Sequence, residues 1–79
     1  INTTDAGVFF NAILGAGNDG IFVDPSTGKA VGNYVLNAAN NGITIEDSNG
    51  FDVIGNRIKG SGNHGISIRN SDGVLVTLN

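Results

Sequence analysis

Short β-branched runs alternate with clusters of Gly, Asn, Asp and Ser along the whole chain, and no window carries an apolar stripe of period 3.6, so helix is not supported. The same residues return at a fixed spacing. GNDGIFVDPSTGKAVGNYVLNAA from Gly17, NNGITIEDSNGFDVIGNRIKGSG from Asn40 and NHGISIRNSDGVLVTLN from Asn63 align, with Gly20, Gly42 and Gly65 preceding the triplets begun by Ile21, Ile43 and Ile66. The period is 22 to 23 residues, and the opening residues are the end of an earlier copy, giving about three and a half copies. In the copy at Asn40 the pattern predicts strands over Gly42 to Glu46, Phe51 to Ile54 and Asn56 to Lys59. Three short strands and their turns form one triangular coil, and stacking coils about 4.8 Å apart pairs each strand with its counterpart in the next copy. The predicted fold is all-β: a single-stranded parallel β-helix. Ile21, Ile43 and Ile66 point inward, as do Val23, Ile45 and Ile68, and Val35 and Ile58. Phe22, Thr44 and Ser67, then Asp24, Glu46 and Arg69, point outward.

Two other folds compete. Asn41-Gly42, Asn49-Gly50 and Asp72-Gly73 are hairpin-turn dipeptides that suit an antiparallel meander. A meander gives no reason for Gly, Asn and Ile to return at a fixed period, whereas a solenoid requires it. A leucine-rich repeat has a comparable length but needs a leucine frame, and only Leu14, Leu36, Leu75 and Leu78 occur.

Asparagine is the second periodic signal. Asn11, Asn33, Asn56 and Asn79 share one repeat position and Asn18, Asn40 and Asn63 another, so both series are expected to form ladders of stacked amides along the axis. Ser26, Ser48 and Ser71 form a similar column.

The pattern N-x-I-x-G…N-x-G-I-x-I…S-x-G-V-x-V-x-x-N resembles the right-handed parallel β-helix repeats of NosD-like periplasmic proteins, alginate epimerases, polysaccharide lyases and phage tailspikes. The resemblance covers nearly the whole chain. It implies the fold, its right hand and a secreted, periplasmic or cell-surface location. Because such proteins use one scaffold for many tasks, it does not imply one activity. The charged clusters of the epimerases and lyases have no counterpart beyond Asp24-Pro25, so no catalytic residue is carried over.

Composition narrows the function classes. Seventy-nine residues make one domain, 1–79, and with no Met in the chain the expectation is a processed product or a piece of a longer solenoid. Four basic against seven acidic residues, net charge −3, leave no footprint for nucleic acid. No apolar run is long enough to insert in a membrane, and zero cysteines exclude disulfides and thiolate metal sites.

The candidate chemistry is sparse. GAGNDG, Gly15 to Gly20, matches a dinucleotide fingerprint, yet Ile21-Phe22-Val23-Asp24-Pro25 follows it instead of a helix, and GSGNHG at Gly60 marks both as turns. His64 has no second ligand nearby in sequence and reads as an exposed turn residue. Asp24, Glu46 and Asp47 come nearest to a carboxylate cluster, with Arg69 completing their column. A solvated face with Glu46 paired to Arg69 is expected there, and a glycan or Ca²⁺ site is the alternative. Leu14, Tyr34 and Leu36 point outward on the third strand and suit a protein contact, while Phe22 and Tyr34 could stack on sugar rings. Asn2-Thr3-Thr4 fits a glycosylation sequon.

The sequence therefore predicts a non-catalytic stalk, filament or spike segment with no cofactor. Phe22, Asp24, Tyr34, Leu36, Glu46, Asp47 and Arg69 are its candidate glycan or partner surface. Its expected partners are flanking coils, further copies stacked end to end, or a polysaccharide. The alternative is a slice of a lyase or epimerase acting on uronic-acid polymers.

Overall fold

A computed structural model describes residues 1–79 and contains ten strands and no helix. They are β1 (Ala6–Phe9), β2 (Ala12–Leu14), β3 (Ile21–Val23), β4 (Gly28–Val31), β5 (Tyr34–Leu36), β6 (Ile43–Glu46), β7 (Asp52–Ile54), β8 (Arg57–Lys59), β9 (Ile66–Arg69) and β10 (Leu75–Thr77). Three parallel sheets run β1-β4-β7-β10, β2-β5-β8 and β3-β6-β9, the topology of a β-helix. In the third sheet Ile21, Ile43 and Ile66 lie over one another, as do Phe22, Thr44 and Ser67, and Val23, Ile45 and Ile68. The hairpin dipeptides do not turn antiparallel strands; Asn41-Gly42, Asn49-Gly50 and Asp72-Gly73 sit in the connections between parallel walls.

Alternation along each strand decides what enters the core. β3 buries Ile21 and Val23 and exposes Phe22; in the middle coil Val35, Ile43, Ile45, Phe51 and Val53 are fully buried. The wall formed by β1, β4, β7 and β10 contributes Ala30, Phe51 and Val53, which the repeat alignment had left without an assignment. The parallel pairing places Phe51 in one column with Gly28 and Val74, and its ring is fully buried. Burying a side chain of this size contributes about 2 to 3 kcal/mol.

Corners need backbone that strands cannot supply. Phe10, Gly32, Gly55 and Leu78 occupy equivalent corner positions and all have φ between 52° and 67°. This left-handed region suits glycine and strains Phe10 and Leu78, whose side chains are 79% and 84% exposed.

Polar side chains close the corners from within. Asn33 and Asn56 are buried, and the bonds repeat from coil to coil: Asn11 N donates to Asn33 Oδ1 at 3.0 Å, Asn33 N to Asn56 Oδ1 at 2.9 Å and Asn56 N to Asn79 Oδ1 at 2.9 Å. Each Nδ2 also reaches a carbonyl of the preceding coil: Asn33 to Val8, Asn56 to Ala30 and Asn79 to Val53. Thr3, Ser26 and Ser48 donate their backbone N–H groups to the hydroxyls of Ser26, Ser48 and Ser71. The second asparagine series differs from expectation. Asn18, Asn40 and Asn63 stack through their backbones, with Asn40 N bonded to Asn18 O and Asn63 N to Asn40 O. The side-chain ladder lies one residue along, where Asn41 N donates to Asp19 Oδ1 and His64 N to Asn41 Oδ1. Asp19 and Asn41, two residues before their strands, turn their side chains along the axis, and the residue before points into solvent at Asn18 and Asn63.

One core polar atom has no partner. Backbone pairing of Ala39 with Ala16 and of Gly62 with Ala38 aligns Ala16, Ala38 and Ser61, and the buried Ser61 Oγ makes no hydrogen bond. An unpartnered buried hydroxyl costs about 1 to 3 kcal/mol. Ser61→Ala is therefore expected to stabilise the chain by about 1 kcal/mol, visible as a higher urea midpoint at unchanged slope.

Candidate functional site

The outer face of the β3-β6-β9 sheet carries the one concave polar surface that includes an exposed aromatic ring and a salt-bridged cation. Phe22, Thr44 and Ser67 form the floor because they alternate with the inward isoleucines and valines. The inter-coil turns form one rim: Asn40, Asn41, Asn63 and His64 line a groove of about 260 Å³. Arg69 bounds the other side, and Asp19 lies at the near end. Phe22 is 43% exposed. Thr44 is outward-facing yet only 2% exposed, because Asn41 folds over it and donates Nδ2 to Thr44 Oγ1 at 3.0 Å.

The turn side of the groove is fixed by hydrogen bonds. Asp19 Oδ1 accepts from both Asn40 Nδ2 and Asn41 N at 3.0 Å, and Asn41 Oδ1 accepts from His64 N at 3.1 Å. His64, Ser67 and Arg69 complete the lining of the groove. Arg69 Nη2 lies 3.0 Å from Glu46 Oε2, in adjacent coils at the same register. With the Arg69 side chain 65% exposed, solvent screening limits this pair to a fraction of a kcal/mol. Arg69→Ala is thus expected to shift stability by less than about 0.5 kcal/mol, a difference that equilibrium unfolding at low and high salt should show shrinking further with salt.

The remaining candidates are spread over other faces. Asp24 is half-buried just past β3, where its N–H donates to Ile1 O at 2.9 Å. Asp47 is exposed at the next corner, takes a bond from Asn70 Nδ2 and faces an open depression shared with Asn2, Thr3, Pro25 and Asn49. Tyr34 and Leu36 are half-buried on the separate β2-β5-β8 face. Arg57 stands 5.6 Å from the Tyr34 ring centroid, a cation–π contact across coils. The structure thus unites Phe22 and Arg69 in one groove and joins Glu46 to it through the salt bridge; Tyr34, Leu36 and Asp47 lie apart. Asn40, Asn41, Asn63, His64 and Ser67 were missing from the sequence-derived surface. Their signal was present, since Asp19, Asn41 and His64 share one repeat position and Phe22, Thr44 and Ser67 another.

A match to the family described as periplasmic copper-binding protein (NosD) spans residues 2–79, and the chain belongs to that family. The family is periplasmic, and no helix of the chain is long and apolar enough to cross a membrane. No curated protein and no solved structure gives a significant match. The expectation of no cofactor, with calcium as its alternative, is overturned by the family description, which is of copper binding. Copper centres draw on imidazole, thiolate and thioether donors. This chain has one histidine, no Cys and no Met, and no three of its His, Asp and Glu side chains form a set able to hold a metal. The residues of these coils do not by themselves fit a copper centre.

Proposed function

From membership of the NosD family, we propose that this chain is a non-catalytic structural segment of a periplasmic β-helix. In this reading its coils continue into further coils of the same solenoid or into a second copy stacked on its end. The observation that supports it most is the Asn11–Asn33–Asn56–Asn79 ladder, in which the side-chain amides of Asn33, Asn56 and Asn79 each bind an N–H and a carbonyl of the coil before. Such a ladder can be extended by any coil carrying the same asparagine. β1 and β10 each pair on one side only, so they offer open strand edges to such a coil. Sedimentation over a concentration series tests end-to-end addition: mass rising with concentration supports it, and a constant 8.0 kDa monomer overturns the second-copy form. Incubation with uronic-acid polymers tests the non-catalytic part, and turnover above blank would reverse it.

Glycan contact is a second reading, favoured by the exposed Phe22 ring beside the polar groove. An aromatic platform flanked by amides, a hydroxyl and a guanidinium suits a hydroxyl-rich ring, apolar on its face and polar at its edge. Affinity electrophoresis through a panel of polysaccharides should show retardation that Phe22→Ala abolishes. Equal mobility of both proteins in every gel would remove this reading.

A further inference from the structure

Asn-Gly occurs twice in the chain, and the fold treats the two copies differently. Asn41 is 8% exposed; its Nδ2 is held by Thr44 Oγ1 and its Oδ1 by His64 N. Gly42 after it is buried, bonded to His64 O at 2.9 Å and packed against Ile58 and Gly65. Asn49 is exposed at the corner between β6 and β7; its Oδ1 accepts from Asp72 N at 2.8 Å, and its Nδ2 has no protein partner. Gly50 is exposed, sits at φ 73°, and has no atom within 4 Å of where a Cβ would stand. Its N–H is held by one exposed contact, to Asp72 O at 2.8 Å.

We infer that Asn49 is a site of spontaneous deamidation and that Asn41 is protected by the fold. The chemistry needs only water. The Gly50 amide nitrogen loses its proton and attacks Asn49 Cγ, forming a five-membered imide. The Cγ–Nδ2 bond breaks, and ammonia leaves with that proton. Water then opens the imide at either carbonyl, giving aspartate or isoaspartate at position 49. Glycine permits the attack because no side chain shields its nitrogen and its backbone rotates freely. At Asn49 the leaving amide group is unbonded and solvated, and the two bonds that hold the reacting groups, Gly50 N to Asp72 O and Asp72 N to Asn49 Oδ1, lie at an exposed corner. At Asn41 the leaving group is tied to Thr44, the carbonyl to His64, and Gly42 lies between two coils, so the reaction waits for the solenoid to open.

The product changes this corner. Aspartate adds a carboxylate beside Asp47 and Asp72, in a chain of net charge −3. Isoaspartate also inserts a backbone methylene, which displaces Gly50 from its place over Gly73 and strains its bond to Asp72 O. The modification would record the age of the protein in its charge and in the pairing of this corner.

Peptide mass mapping of the full chain, incubated folded in mildly alkaline buffer at physiological temperature, tests the inference. The Asn49 peptide should gain one dalton at least about tenfold faster than the Asn41 peptide, the protection that a local opening cost of a little over one kcal/mol confers. In concentrated urea the two rates should converge, and in Asn49→Ser the folded chain should lose nearly all of the gain. Equal rates at both sites in the folded chain would overturn the assignment. So would a folded chain that leaves Asn49 intact while urea releases both sites.

Discussion

Asn56→Leu is expected to abolish cooperative folding of the chain. The Asn56 side chain accepts from Asn33 N and Asn33 Nδ2 at 2.9 and 2.8 Å, and donates to Ala30 O and Asn79 Oδ1 at 3.0 and 2.9 Å. Leucine is of similar volume and makes none of these bonds. It leaves the N–H of Asn33, itself 1% exposed, without a partner in a dry corner. At about 1 to 3 kcal/mol for each polar group left unpaired, the loss is about 4 to 6 kcal/mol. That equals most of the stability expected of so short a chain, on the order of 0.05–0.15 kcal/mol per residue. Circular dichroism should show no cooperative thermal transition. Asn63→Ser is the contrast: Asn63 is exposed and its amide makes no protein bond, so the transition should stay within about 0.5 kcal/mol of the parent.

Gly42→Ala should carry the second large effect. A Cβ at Gly42 would stand 2.6 Å from Gly65 O, 3.0 Å from Ser61 Oγ and closer still to Ile58 Cγ2. The backbone cannot step aside, because Gly42 N and Ile43 N bond forward to His64 O and Gly65 O at 2.9 Å, and Ile21 N bonds back to Gly42 O at 3.0 Å. Forcing a methyl into such a site costs about 3 kcal/mol. Gly65 holds the same place in the next coil, yet a Cβ there meets nothing within 4 Å. Gly65→Ala is therefore expected to shift stability by less than about 0.5 kcal/mol. Urea unfolding of the two variants compares one repeat position with and without a coil above it. Equal losses would show that the glycine serves its own turn and not the approach of a neighbour.

The architecture was legible because a solenoid writes its geometry into a period. Ile21, Ile43 and Ile66 recur at the spacing that stacks them, and the strands predicted from Gly42, Phe51 and Asn56 begin within one residue of β6, β7 and β8. What escaped does not repeat by residue type. Phe51 lies in one column with Gly28 and Val74, three residues of different size at one level, while Ala30 interrupts the valine column of Val8, Val53 and Val76. The Asp19–Asn41–His64 ladder was hidden for a similar reason. Three different side chains do one task there, while the uniform asparagines at 18, 40 and 63 drew attention to the residue before it. Copper binding by the family left no trace to read, since one histidine without cysteine or methionine carries no donor pattern. The groove around Phe22 lay between these cases: its floor was readable from the alternation, its rim only from the folded turns.

Paired cysteine substitutions test the central claim most directly, because the chain has no cysteine of its own. Lys29 and Asp52 face outward in direct register between β4 and β7, and Ile54 lies two residues further along β7, opposite Val31. Oxidation should close a disulfide in Lys29→Cys with Asp52→Cys, where the two Cβ atoms are about 5 Å apart, a gap that small strand movements can close. Lys29→Cys with Ile54→Cys should stay reduced under the same conditions. A disulfide formed by the second pair and not by the first would mean that these segments run antiparallel, and the stacked coil would be wrong.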